Sequence, residues 1–311
     1  MLNQSSIVWG ITDGSAGMVA QVRALANAMD FQAEMKNIAL AKPWSLLPNI
    51  CYDGFLLKFI LRYALREPEN LGKPYPNIII SCGRKAALVA AALKNTQPQV
   101  RAIHIQDPQM SPKNFDVVVA MEHDKIQGDN VIKTRFALHS ITTAALESAK
   151  ENFMTRFGDY SQPHIAVLLG GSTNKYNLTK LRMESLISHL QDWLNGTKGS
   201  LLITPSRRTG EENIATLQQA FAGNKNVYIY DGKTDNPYMG LLACADEIIV
   251  TNDSVNMMSE SFATGKPVTI LRLSGHKNTK PANFAEMIKN HPPMIGDEMQ
   301  KLAQQVKGML S

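Results

Sequence analysis

The sequence predicts an α/β protein made of two doubly wound parallel-sheet domains. Short runs such as Asn77–Ile80, Ile165–Leu169 and Glu247–Val250 are apolar almost throughout, as strands are when helices cover both faces of their sheet. Helical stretches alternate with such runs along the chain, the order expected of parallel sheets. The length of 311 residues exceeds one ordinary domain and suits two of about 150 residues each.

The strands expected in the first half are Ser6–Ile11, Asn77–Ser81, Arg101–Ile105 and Asp116–Ala120. Those in the second half are His164–Leu169, Ser200–Thr204, Asn226–Tyr230, Glu247–Thr251 and Pro267–Leu271. Helices are expected at Val19–Met29, Lys85–Lys94, Thr179–Gly196, Glu211–Ala222 and Ser254–Thr264. Gly, Asp, Ser and Pro gather between Arg156 and Pro163, which divides the chain into residues 1–158 and 159–311. A last helix, Asp297–Leu310, suits packing on either domain.

A hydrophobic fraction of 44% with 19% charged residues is that of a folded globular protein. The net charge of +5 suits an acidic small molecule or an anionic membrane surface. No basic run or basic–aromatic motif of the nucleic-acid type occurs, so no nucleic-acid partner is expected. Cys51, Cys82 and Cys244 are widely separated and lack metal-ligand spacing, which fits reduced thiols in a cytoplasmic protein. No apolar run approaches the roughly 20 residues that span a bilayer, and no signal-peptide pattern opens the chain. The expected location is cytoplasmic, with peripheral attachment to a membrane as an option.

Ligands of open parallel sheets bind outside the carboxyl ends of the strands, so the residues just after each strand carry the functional argument. After Glu247–Thr251, the residues Asn252-Asp253-Ser254 form a cap for the next helix, whose free N–H groups and dipole suit an anion. Thr251, Asp253, Ser254, Val255, Met258 and Glu260 are the candidate nucleotide contacts of this segment, with Glu260 able to accept ribose hydroxyls. Simple helix capping by Asp253 and Ser254 explains part of the same pattern. Ser206-Arg207-Arg208 follows Ser200–Thr204, and two adjacent guanidinium groups there suit a diphosphate. Gly170-Gly171-Ser172 permits close backbone approach, either to a ligand at Gly171 and Ser172 or in a plain strand–helix turn.

The first loop, Trp9–Gln21, is glycine-rich, but its spacing is not the dinucleotide fingerprint, and no phosphate-binding P-loop occurs. Asp13 in that loop is the first candidate general base, with Asp107 and His104 next. A histidine inside a strand is more often a satisfied core residue, and Asp107 before Pro108 also reads as a turn. No D-x-D motif or metal-ligand cluster occurs, so no metal site is expected. Gly54–Glu67 carries apolar residues at helical spacing with Lys58, Arg62 and Arg66 interleaved. It suits either a helix packed on its own sheet or an anionic membrane surface.

The runs WGITDGSAGMVAQ, IQDP, FDVVVAMEHD, TPSRRTG and NPYMGLLACADEIIVTNDSVNMMSESFATGKPVTIL together resemble the elongated-mitochondria-type fission protein family. Its bacterial members are described as predicted glycosyltransferases. The resemblance runs from about Val8 to Ile288, and the segment from Ser254 through Glu260 to Pro267 is distantly similar to the donor site of GT-B glycosyltransferases such as lipid II synthase. It implies a GT-B fold: two Rossmann-like domains facing a cleft, the first on the acceptor side and the second on the nucleotide-sugar side. Glu260 would then bind ribose, while Ser254, Arg207 and Arg208 would hold the diphosphate of a UDP-sugar. The chain departs from many family members at Asn252, where they carry alanine. The implied activity is metal-independent transfer of a sugar to an unidentified, membrane- or envelope-associated acceptor, with no resident cofactor. Nucleotide-sugar epimerisation and a non-catalytic adaptor at a membrane surface, as plant members' link to organelle fission suggests, are the alternatives.

Overall fold

A computed structural model describes residues 6–52, 54–174, 176–275, 279–288 and 298–310. Its contacts define two compact units, Met1–Ser140 with Asp297–Ser311, and Ile141–Gly296. The first contains β1 (Val8–Thr12), α1 (Ala16–Ala28), β2 (Ala33–Asn37), α2 (Gly54–Phe59), β3 (Ile78–Cys82), α3 (Arg84–Thr96), β4 (Arg101–Ile105), β5 (Val117–Met121) and β6 (Val131–Thr134). Its six strands pair in parallel in the order β2-β1-β3-β4-β5-β6.

The second unit contains α4 (Thr143–Phe157), β7 (His164–Leu169), β8 (Tyr176–Asn177), α5 (Lys180–Gly196), β9 (Ser200–Pro205), α6 (Glu211–Ala220) and β10 (Val227–Ile229). It continues through α7 (Tyr238–Cys244), β11 (Glu247–Thr251), α8 (Val255–Ala263), β12 (Val268–Leu271), β13 (Ser274–Gly275) and α9 (Lys280–Ile288). Five strands pair in parallel in the order β10-β9-β7-β11-β12, and β8 and β13 form a small antiparallel pair. The final helix, α10 (Glu298–Leu310), belongs to the first unit.

Strand β3 shows why the central runs are unbroken in apolar residues. Ile79 packs into the core beneath α3, while its neighbours Ile78 and Ile80 point into the opposite core with Val22 and Leu25 of α1. Both faces are covered, so the run is apolar except at Ser81, whose hydroxyl is hydrogen-bonded to the Ile103 carbonyl and to His104. Met299, Leu302 and Val306 of α10 join that second core, which fixes the last helix on the first unit. The edge strands β2 and β6 escape prediction because they are half-exposed, and Ala33–Asn37 alternates polar with apolar residues. Among the described residues, no helix is long and apolar enough to cross a membrane.

The expected division after residue 158 is corrected to Ser140–Ile141. Helix α4 belongs with the second sheet because its last turn is locked there. Phe157 meets Tyr228 edge-on at 5.2 Å, and Arg156 donates to Tyr228 Oη at 2.7 Å, Thr234 Oγ1 at 2.8 Å and the Asp235 carbonyl at 3.2 Å. The ring of Phe153 also lies where a side chain at Gly240 would have to start, 2.3 Å from an added Cβ.

His104 is corrected from candidate base to core residue. It is fully buried in β4, its ring 5.1 Å from Phe115, with Nδ1 2.8 Å from Ser81 Oγ. Ser81 Oγ itself donates to the Ile103 carbonyl at 3.2 Å, so the consistent tautomer carries its proton on Nδ1. Nε2, which has no partner, is then only a lone pair. Burial lowers the imidazole pKa to about 3, so the folded state excludes the proton that the unfolded chain takes up below about 6.5. The stability contributed by the neutral ring is complete above pH 6.5 and declines toward pH 3. Between pH 7 and pH 5 this residue alone should remove roughly 2 kcal/mol. Urea unfolding of the native chain and of His104→Asn at both pH values checks this. The variant should lose less stability than the native chain on acidification, and parallel losses would refute the assignment.

Candidate functional site

The strands of the second sheet progress from β7 through β9 to β10 on one side, and then β11 and β12 are added on the other. The order reverses between β7 and β11, and ligands of open sheets bind at the carboxyl ends of such a pair. Three segments converge there: Gly170-Gly171-Ser172 after β7, Ser206–Thr209 after β9, and Asn252–Ser254 after β11.

Asp253 joins them. Its side chain is fully buried, and Oδ2 accepts from the Arg208 guanidinium at 2.6 Å and from the Gly171 N–H at 3.2 Å. Oδ1 accepts from Thr251 Oγ1 at 2.7 Å, and that hydroxyl in turn accepts the Gly170 N–H at 2.7 Å. The two glycines are required by closeness alone. An added Cβ at Gly170 would lie 2.0 Å from Asp253 Oδ1, and one at Gly171 would lie 1.9 Å from the Arg208 carbonyl oxygen.

The arginine pair sits on a tight turn. Ser206 Oγ accepts from the Arg208 N–H at 3.2 Å, while Thr209 Oγ1 accepts from the Ser206 N–H at 3.0 Å and donates to the Gly170 carbonyl at 2.6 Å. This reciprocal box buries Thr209 and leaves both arginines exposed, with the Arg208 guanidinium reaching back to Asp253. Arg208 keeps 43% of its side chain exposed and spends one nitrogen on Asp253. Arg207 is exposed and has no ion-pair partner among the described residues. Opposite, Ser254 caps α8 by accepting the Met257 N–H at 3.4 Å, leaving the first N–H groups of the helix without helical acceptors.

Glu260 lies on α8, with Oε2 accepting from Tyr238 Oη at 2.5 Å. Burial raises its carboxyl to about 7, the Tyr238 bond opposing the shift. Burial and the nearby Glu260 charge push the Tyr238 phenol upward. Tyr238 is a site residue that the sequence reading used only as part of a turn; it lies 22 positions from Glu260, and no spacing signal links them.

Several expected contacts are corrected to supports. Thr251 and Met258 are buried, the Asp253 side chain is fully covered, and the Gly171 N–H is already used. Ser172, Arg207 and Arg208 are exposed, while Ser254, Val255 and Glu260 are half-buried. Ser206 acts as a cap. Asn252 is buried, and its Oδ1 accepts the Leu273 N–H at 2.8 Å, tying β11 to the segment beyond β12.

In the first unit the strand order reverses between β1 and β3. Asp13 follows β1 directly and is exposed, with Oδ1 accepting from Ser15 N–H at 3.1 Å and Ser15 Oγ at 2.5 Å. Burial raises the Cys82 thiol above its ordinary pKa, and the Asp13 charge adds to this. Asp107 follows β4, one strand farther along the sheet, and its Oδ1 accepts the Gln109 N–H at 2.8 Å. Its turn is flanked by left-handed Gln106 (φ 81°) and Gln109 (φ 55°) and is pinned by Asn49, which donates to the Pro108 carbonyl at 2.8 Å.

Comparison with solved structures gives a Methanocaldococcus jannaschii UDP-GlcNAc 2-epimerase, in complex with UDP-GlcNAc and UDP, at a TM-score of 0.56 and 14% identity. The match covers 97% of this chain and 99% of that one. Acinetobacter baumannii MurG matches at a TM-score of 0.50 and 12% identity over 97% and 99% of the two chains. These likenesses show a fold of the GT-B type, with two Rossmann-like units. By sequence, the mitochondrial fission protein ELM1 of Arabidopsis thaliana is 30% identical over an alignment of 261 residues that covers 75% of this chain and 59% of that protein. The uncharacterized protein RP120 of Rickettsia prowazekii (strain Madrid E) is 26% identical over 316 residues, covering 90% of this chain and 87% of its own. The family model described as mitochondrial fission ELM1 matches residues 16–294, and the chain belongs to that family.

Proposed function

We propose that the second unit binds a nucleoside-diphosphate sugar, and that the protein transfers the sugar to an acceptor without a metal ion. The observation that carries this is the exposed pair Arg207-Arg208, set across the strand-order reversal from the Ser254-capped start of α8 and accompanied by Glu260. The guanidinium groups and the free N–H groups of α8 would hold the diphosphate and stabilise the charge that develops as it leaves. Glu260 would accept a ribose hydroxyl through Oε1, since Oε2 already serves Tyr238. The UDP-GlcNAc in the M. jannaschii structure supports a UDP-sugar as the first probe.

In transfer, an acceptor hydroxyl oxygen would bond to the anomeric carbon as the bond from that carbon to the β-phosphate oxygen breaks. The electron pair leaves with the nucleoside diphosphate, and the acceptor's proton passes to a base. Asp13 is the proposed base, since it is exposed at the strand-order reversal of the first sheet, with Asp107 second. An acceptor carried by a membrane or cell envelope is the class we propose. Conversion of UDP-GlcNAc to an epimer with no acceptor present would replace transfer by epimerisation.

The two arginines should behave differently in calorimetric titration with UDP-GlcNAc. Arg207→Ala should weaken binding about tenfold to a hundredfold and leave the melting temperature unchanged, since that side chain supports nothing else. Arg208→Ala should weaken binding and also cost roughly 1–3 kcal/mol of stability, because the buried Asp253 loses a donor. Unchanged affinity in both variants would remove the donor assignment.

Glu260 sets a pH dependence of binding. A carboxylate accepts ribose hydroxyls well and a protonated carboxyl poorly, so affinity should rise from pH 6 to pH 8 through its pKa of about 7. Glu260→Gln should flatten this rise. A native profile equal to that of the variant would show that Glu260 is not part of the nucleotide site.

A further inference from the structure

The segment from Trp44 to Arg66 carries a surface that donor binding does not use. Helix α2 continues into a wider turn at Ile60–Ala64, and Leu57, Ile60 and Ala64 pack inward with Tyr52 and Ile38. An ordinary amphipathic helix would present polar residues on its other side. Here that side carries Phe55, Leu56, Phe59 and Tyr63, with Phe55 69% and Tyr63 53% exposed. The three rings form a ladder at helical spacing: Phe55 and Phe59 lie 5.3 Å apart edge-on, and Phe59 and Tyr63 lie 6.1 Å apart and stacked.

The preceding loop adds Leu46, which is 68% exposed, and Leu47. This loop is pinned, not slack. The Arg84 guanidinium donates to the Ser45 and Leu47 carbonyls at 3.1 Å each, and Trp44 stacks on Tyr52 at 5.9 Å. Of the ten large hydrophobic residues exposed among those described, six fall between Leu46 and Tyr63, so they form a local feature and not the scatter of an ordinary surface.

Lys58, Arg62 and Arg66 are interleaved with these residues, all exposed and without an ion-pair partner among the described residues. The Arg62 guanidinium lies 5.4 Å from the centre of the Tyr63 ring. Aromatic rings with unpaired cations beside them match the boundary of an anionic bilayer, where rings enter the headgroup region and ammonium and guanidinium groups meet lipid phosphates. A second copy of the chain fits less well, because a two-fold contact here would bring two sets of three unpaired cations together.

We propose that this face docks on the headgroup layer of an anionic lipid membrane. The proposal rests on the first unit alone and is independent of the donor reading. Co-sedimentation of the full chain with phosphatidylcholine vesicles, with and without phosphatidylglycerol, tests it. The native chain should pellet with the anionic vesicles, less with the neutral ones, and less as salt is raised. Replacing Lys58, Arg62 and Arg66 by Gln should lower partitioning by about fivefold per charge. Phe55→Ser, Phe59→Ser and Tyr63→Ser combined should lower it by at least about tenfold while leaving the melting temperature and UDP-GlcNAc affinity unchanged, and the charge variant keeps the test intact if the serine variant fails to fold. A native chain left in the supernatant at low salt, or variants that pellet as well as it does, would overturn the proposal. So would a dimer in sedimentation velocity that Phe59→Ser dissolves when no vesicle binding occurs.

Discussion

Asp253 has no exposed side-chain surface, and donors from three chain segments converge on it: the Arg208 guanidinium, the Gly171 N–H and the Thr251 hydroxyl. A buried carboxylate is costly to desolvate, and it is retained only where such donors replace its water. In return it fixes the ends of three adjacent strands against one another. Gly170 and Gly171 are the matching constraint, because any side chain at either position would occupy space held by the carboxylate or by the Arg208 backbone. The outward aim of Arg207, the position of the Ser254 cap and the approach of α8 all follow from this junction.

The junction also sets the electrostatics of the surface above it. Asp253 balances only one of two adjacent positive charges, and it does so from below, so the exposed side remains cationic. The helix α8 adds the partial positive charge of its first turn. Glu260, the one carboxylate near this surface on α8, is kept from full ionisation at neutral pH by burial, which raises it to about 7. The partial positive charge of a capped first turn and a carboxyl raised to about 7 therefore lie on a single helix, separated by less than two turns. This suits a ligand with a charged end and a neutral, hydroxyl-bearing neighbour.

Much of the fold was legible because its central strands are covered on both faces and so read as mostly apolar runs. The bounds Arg101–Ile105, His164–Leu169 and Glu247–Thr251 agree between sequence and structure. The edge strands β2 and β6 of the first sheet were not legible, since their half-exposed residues mix polar with apolar types, whereas the second sheet's edges β10 and β12 kept a β-branched run. The loops of the site could also be located, because they follow strand ends. The roles within them could not be read from order alone: whether Asp253 faces a ligand or a neighbouring backbone depends on a contact with Gly171, 82 residues away. Tyr238 was invisible for the same reason. The boundary between the units was drawn too late because a Gly- and Pro-containing turn marks a change of direction, not a change of core. The core that α4 joins is revealed only by Tyr228 and Gly240.

The two sheets share a strand-order reversal but build its floor from opposite chemistry. In the second unit the floor is a charged and hydrogen-bonded junction, Thr251-Asp253-Arg208. In the first, Gly83 follows β3 with a left-handed backbone (φ 91°), and the sulfur of Met18 fills the space beside it, 2.4 Å from an added Cβ. The buried Cys82 thiol, held protonated by burial, lies just before it. Thioether and thiol groups offer an anion little, and the carboxylate of Asp13 at the rim would repel one. A nucleoside diphosphate placed at the first sheet would meet the Asp13 carboxylate, with the Arg84 guanidinium already bonded to the Ser45 and Leu47 carbonyls, whereas at the second sheet the Arg207 guanidinium has no ion-pair partner among the described residues.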